Sequence, residues 1–116
     1  EDGLDEVYPA APTRVSALEN GKVDEGVVTP KDCGIERIDL AALAGGDAAD
    51  NARVLEAILG GAAHPASEAI VLNAAAALVV ARDLPCREAA GVARAAIRDG
   101  KALATLDAWR TAASSG

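Results

Sequence analysis

The sequence has no methionine and no phenylalanine, and only one tyrosine, one tryptophan, one histidine and two cysteines among 116 residues. Each shortage excludes something. With Tyr8 and Trp109 as the sole aromatics, the 51% hydrophobic content is carried largely by Ala, with Leu, Val and Ile. Ala buries far less apolar area than Leu or Phe at about 25 cal/mol per Å², so a core of this make-up is thin for an isolated domain and points to neighbours outside the chain. The lack of any methionine is read in the same direction, as a processed chain or a segment of a longer one. His64, between Ala63 and Pro65, has no second histidine and no evident nucleophile to serve. Cys33 and Cys86 stand 53 positions apart, without a Cys-x-x-Cys pairing or a histidine at metal spacing. They are expected to be reduced, partly buried thiols.

Basic residues are also scarce. Eleven Lys and Arg face eighteen Asp and Glu, giving a net charge of −7, and the basic residues are scattered. A nucleic-acid surface needs them clustered, so nucleic acid is excluded as a partner. The longest apolar run, AIVLNAAAALVVA from Ala69 to Ala81, is too short to span a bilayer and carries Asn73. The first thirty residues lack the basic start and apolar run of a signal peptide. The expectation is a soluble, cytoplasmic protein with no membrane partner, one domain or part of one.

The stretch TRVSALENGKVDEGVVT, Thr13 to Thr29, sets two β-tolerant runs around Asn20-Gly21. Asn-Gly favours a type I′ hairpin because both central residues need positive φ. Alternation is imperfect on both arms, so the ribbon is expected to rest on something beyond itself. TPKDCG then reads as a turn, with Pro30 ending the second strand. Beyond Gly34 the character is helical. IDLAAL makes a short turn or two before Gly45-Gly46, and Asp47 is placed to cap a helix from Ala48 to about Leu59, with Leu55, Ile58 and Leu59 on one face. Gly60-Gly61 end it.

The next helix, from near Pro65 to about Arg82, is apolar nearly all round, which predicts burial on every side. Asp83 to Pro85 break the chain. A helix from Cys86 to Arg98 then lines up Ala89, Val92, Ala93, Ala96 and Ile97, and a last one runs from Lys101 to about Ala112, with Trp109 read as a packing anchor. The predicted segment is a β-hairpin followed by four or five α-helices.

Few residues could carry chemistry. The opening EDGLDE holds four acids, and its adjacent Asp5 and Glu6 are hard oxygen donors of the kind that bind Mg²⁺ while substrate phosphates and water fill the remaining positions. Spacing alone leaves a solvated acidic loop as the plainer reading. Asp47 would repel a phosphate at its helix N-terminus and is read as a cap. Asn73 is read as a buried strut, hydrogen-bonded to backbone and important for stability and not for catalysis.

Four pieces of the sequence together resemble the C-terminal third of the anthranilate phosphoribosyltransferase family. They are GLDE, the Pro-Thr of APTRV, TPKDCGIERIDLAALAGGDAADNARVLEAILGG and VLNAAAAL, with LAGGDAADNARVL the most specific. The resemblance implies an α/β parent, a small helical domain joined to an α/β domain. That parent joins anthranilate to the ribose of phosphoribosyl pyrophosphate in tryptophan biosynthesis, with Mg²⁺. Asp5 and Glu6 fall on the family's Mg²⁺-binding pair.

On this reading residues 1–12 form the metal loop, 13–30 the hairpin and 35–113 the helical portion of the α/β domain. The glycine-rich donor loop, the anthranilate contacts and the helical domain of a homodimeric parent precede them, and the segment alone is expected to be inactive. Two local departures stand out. Ala11-Pro12-Thr13 replaces the family's Gly-Pro-Thr, and Tyr8-Pro9 replaces small polar residues. The competing readings are a non-catalytic acidic helical binding module and a related phosphoribosyltransferase with another acceptor.

Overall fold

Asn20 and Gly21 adopt φ of 50° and 77°, the doubly positive pair that a type I′ turn demands. In the computed structural model, which describes residues 4–115, this turn closes an antiparallel ribbon of β1 (Thr13–Glu19) and β2 (Lys22–Val28). The register sets Leu18 opposite Val23 and Val15 opposite Gly26. A turn of 3-10 helix follows at Pro30–Cys33. Its start is tied by the Asp32 carboxylate, which accepts from both the Thr29 N–H at 2.7 Å and the Thr29 hydroxyl at 2.8 Å. Gly34 leaves the turn at φ 67°, in the left-handed region that favours glycine, while the Arg87 side chain 2.8 Å from an added Cβ is flexible enough to give way.

Four helices complete the chain: α1 (Ala48–Leu59), α2 (Ser67–Arg82), α3 (Cys86–Arg98) and α4 (Lys101–Ala113). IDLAAL supplies only a 3-10 turn at Leu40–Leu43 before them. Asp47 caps α1 as expected, its side chain accepting from the Asp50 N–H at 2.8 Å. The helix expected from Pro65 starts two residues later. His64 Nδ1 accepts from the Ala66 N–H at 3.1 Å and occupies the entry. Asp83, at φ 54°, ends α2 in the left-handed region.

The core lies between α2, α3 and the turn at Pro30–Cys33. Cys33, Ile35, Val71, Leu72, Ala75, Ala89, Ala90 and Ala93 form one buried cluster, half of it alanine. Small side chains let the two helix backbones approach closely, which is how so Ala-rich a sequence builds a core at all.

Three expectations need correction. α2 is not buried on every side: Val71, Leu72 and Ala75 are buried, but Val80 is 88% exposed. Its apolar outer face has no cover among the described residues. Trp109 is no packing anchor, being 71% exposed. The neighbouring Arg110 faces α1 and pairs with Glu56 at 2.9 Å, and one residue along a helix turns about 100° away from that contact. Cys33 and Cys86 are joined in a disulfide, their Cα atoms 4.6 Å apart. The turn at Pro30–Cys33 docks against the N-terminus of α3, and only that docking brings residues so distant in sequence within bonding range.

The fold is also open. Its radius of gyration is 15.3 Å, against about 13 Å for a compact domain of this length. Its accessible surface is 7890 Å², against about 5,800 Å² for a folded monomer of this mass. The excess surface accords with the thin core read from composition.

Candidate metal centre

The loop that carries Asp5 and Glu6 has no regular structure, and both side chains are exposed on a bend. The residues just after the pair are firmly held. The main chain of Val7 is gripped by Asn73 on α2: Asn73 Oδ1 accepts the Val7 N–H at 2.8 Å and Asn73 Nδ2 donates to the Val7 carbonyl at 3.3 Å. The Tyr8 N–H donates to Thr13 Oγ1 at 2.8 Å, joining the loop to the start of β1. The Pro9 carbonyl accepts from the Ile38 N–H at 3.1 Å, and Ala10 is buried at 6% exposure. The loop thus presents two carboxylates to solvent from a base fixed at successive residues. Tyr8 and Ala10 also line a cleft of about 440 Å³ with Arg37, Ile38, Asp39 and Leu40.

Two adjacent carboxylates are a partial donor set. Among the described residues no group of three or more His, Cys, Asp or Glu side chains converges on a point. That arrangement suits Mg²⁺, which keeps its waters and takes further oxygens from substrate phosphates, better than ions that need a closed protein cage. The donor chemistry of the pair is of the kind that the family resemblance implies.

Ionisable groups elsewhere in the fold have their affinity for protons displaced by hydrogen bonds that hold the fold together. The Thr29 hydroxyl and then its N–H hold the Asp32 carboxyl below its ordinary value. Hydrogen bonds from Arg110 hold Glu56 below its own, and Arg110 is raised in return. Arg94 is raised by its bond to Glu68. That pair borders the hollow of about 460 Å³ beside Gly60-Gly61 and Ser67, so the arginine there stays charged but is already paired with a carboxylate. Sequence reasoning noticed Asn73 but not its partner. The signal was an amide inside an apolar run, which must find hydrogen bonds, whereas nothing in the sequence pointed to Val7.

Among the described residues no single helix is long and apolar enough to cross a membrane, and α2 and α3, which together reach the required length, are bent by 115°. Comparison with known proteins gives the site its context. The anthranilate phosphoribosyltransferase of Methylocella silvestris is 50% identical over 106 residues, covering 90% of this chain and 30% of that protein. The anthranilate phosphoribosyltransferase of Salinispora arenicola is 44% identical over 115 residues, covering 94% of this chain and 33% of its own length. The chain thus spans about a third of the length of the curated relatives it matches.

Among solved structures, the anthranilate phosphoribosyltransferase of Saccharomyces cerevisiae in complex with PRPP and Mg superposes with a TM-score of 0.87 at 26% identity, over 98% of this chain and 33% of that one. The same yeast enzyme in complex with 4-fluoroanthranilate gives 0.87 at 27% identity, over 98% of this chain and 34% of that one. The family described as glycosyl transferase family, a/b domain, matches residues 1–103. The chain belongs to that glycosyl transferase family, as a length of its a/b domain.

Proposed function

We propose that this chain is the C-terminal part of an anthranilate phosphoribosyltransferase, and that Asp5 and Glu6 hold Mg²⁺ against the pyrophosphate of the donor. The whole enzyme transfers the 5-phosphoribosyl group of phosphoribosyl pyrophosphate to anthranilate, a step of tryptophan biosynthesis, and works in the cytoplasm as a homodimer. The observation that carries this reading is the placement of the acidic pair. Two exposed carboxylates stand on a bend anchored at Val7, in a chain half identical to one such enzyme.

As the bond between the ribose C1 and the pyrophosphate oxygen breaks, negative charge collects on the leaving group. Bound Mg²⁺ supplies Lewis-acid stabilisation of that charge. Asp5 and Glu6 attack nothing and accept no proton; they hold the ion and thereby orient the donor. The donor loop and anthranilate pocket lie outside residues 1–116, so the chain by itself should not turn over, because transfer needs both substrates fixed in one site.

In the full-length enzyme, replacing Asp5 and Glu6 together by Ala is expected to lower turnover by about 10²–10³-fold, the range seen when stabilisation of transition-state charge is removed. Added Mg²⁺ should rescue it only in part. Wild-type turnover in that double variant would reduce the pair to surface charge and end this reading.

A further inference from the structure

Resting on the assignment of Asp5 and Glu6 to a metal, we propose that Asn73 is a positioning residue for that pair. Its carboxamide fixes the main chain at Val7 and so determines where the two carboxylates stand. Val7 follows Glu6 directly, and Asn73 meets its main chain twice, as acceptor at 2.8 Å and as donor at 3.3 Å. A neighbouring β-strand would pair with the loop in the same way. The second Nδ2 proton goes to the Ala69 carbonyl at 3.0 Å, one turn back in the same helix. That third bond sets the plane of the amide and decides which end presents oxygen to the loop.

The anchor is itself only half-buried, unlike the fully buried strut expected from the sequence, but it stands among Val71, Leu72 and Ala75, which are at most 2% exposed. The carboxylates it positions are exposed. Among the described residues, no other side-chain hydrogen bond reaches residues 4–7. Because Glu6 and Val7 share a peptide bond, any drift of Val7 carries both carboxylates with it. Loss of a partner that orients metal ligands typically weakens metal binding by about 10–100-fold.

The test measures the dissociation constant of Mn²⁺, standing in for Mg²⁺, from the full-length enzyme with phosphoribosyl pyrophosphate saturating, by electron paramagnetic resonance of free Mn²⁺. Asn73→Ala should weaken Mn²⁺ by about tenfold or more. Asn73→Ser, which leaves a smaller void, serves as the second variant should the first fold poorly, and should weaken it likewise. Ile58→Ala, on α1 and equally buried but outside the cluster against which Val7 packs, should lower the melting temperature and leave the Mn²⁺ constant at its wild-type value.

The Asp5→Ala, Glu6→Ala double variant separates the positioning role from the metal assignment. If it loses Mn²⁺ while both Asn73 variants keep wild-type affinity, the positioning role is overturned and the metal assignment stands. If the double variant itself keeps wild-type affinity, the metal assignment falls and this inference with it. Loss of Mn²⁺ in Ile58→Ala equal to that in Asn73→Ala would also overturn the proposal, by tracing the effect to general destabilisation.

Discussion

The hairpin and the α2–α3 pair are both well formed, but different forces hold them. Along β1 and β2 the backbone pairs over seven positions, while Leu18, Val23 and Val27 remain 74%, 62% and 62% exposed. The ribbon is shaped by its turn and its ladder and meets the core at Val28. Between α2 and α3 the reverse holds: Leu72, Ala75, Ala89 and Ala90 are fully buried, and the contact is made by side chains and not by a backbone ladder. Local hydrogen bonding can specify a shape without much stability, since a lone two-stranded hairpin is marginal in water. Burial of even small side chains supplies the stability.

Substitutions in the full-length protein, followed by thermal or denaturant unfolding, can break or sharpen this contrast. The largest effect is expected from Leu72→Ala, which opens a cavity in the closest part of the core and should cost about 2–5 kcal/mol. A loss below 1 kcal/mol would show the α2–α3 contact to be looser than its burial indicates. In the ribbon, Gly21→Val places a β-branched side chain at φ 77°, where the steric penalty is about 1–2 kcal/mol. Its effect should appear as faster amide exchange confined to residues 13–28.

Leu18→Ser, on the exposed ribbon, should change stability by less than about 0.5 kcal/mol. A larger loss would mean that the rest of the protein covers this face. The smallest effect concerns Glu56 and Arg110, which link α1 to α4 at the surface. Because Arg110 holds the Glu56 carboxyl below its ordinary value of 4.5, the ionised form is favoured in the folded state. Its contribution is present above the unfolded value and is lost as pH falls through the folded one. Glu56→Gln should therefore lower the melting temperature slightly at neutral pH and not at all well below pH 4. A difference that persisted in acid would assign the contact to packing.

Much of the fold was legible because its signals span only a few residues. Asn20-Gly21 announces its turn, Asp47 its cap, and Gly60-Gly61 and Asp83 their helix ends. Three of the four helices lie where periodicity and breakers put them, to within a residue. The candidate site was legible in part: Asp5 and Glu6 stand out as adjacent hard donors, and the family resemblance raised them above an ordinary acidic terminus. The sequence had no means of showing the base on which they rest.

That base, and each of the corrected expectations, depends on tertiary contact. Cys33 meets Cys86 across 53 positions, and Asn73 meets Val7 across 66. Trp109 and Val80 are exposed because neighbouring elements end where they do or turn elsewhere. Turn and cap chemistry acts between residues that chain connectivity already holds together, so sequence alone determined the hairpin and every helix boundary but the start of α2. Which distant side chains become neighbours is decided by how α2, α3 and the turn at Pro30–Cys33 pack, because close packing joins surfaces whose adjacency no local pattern encodes.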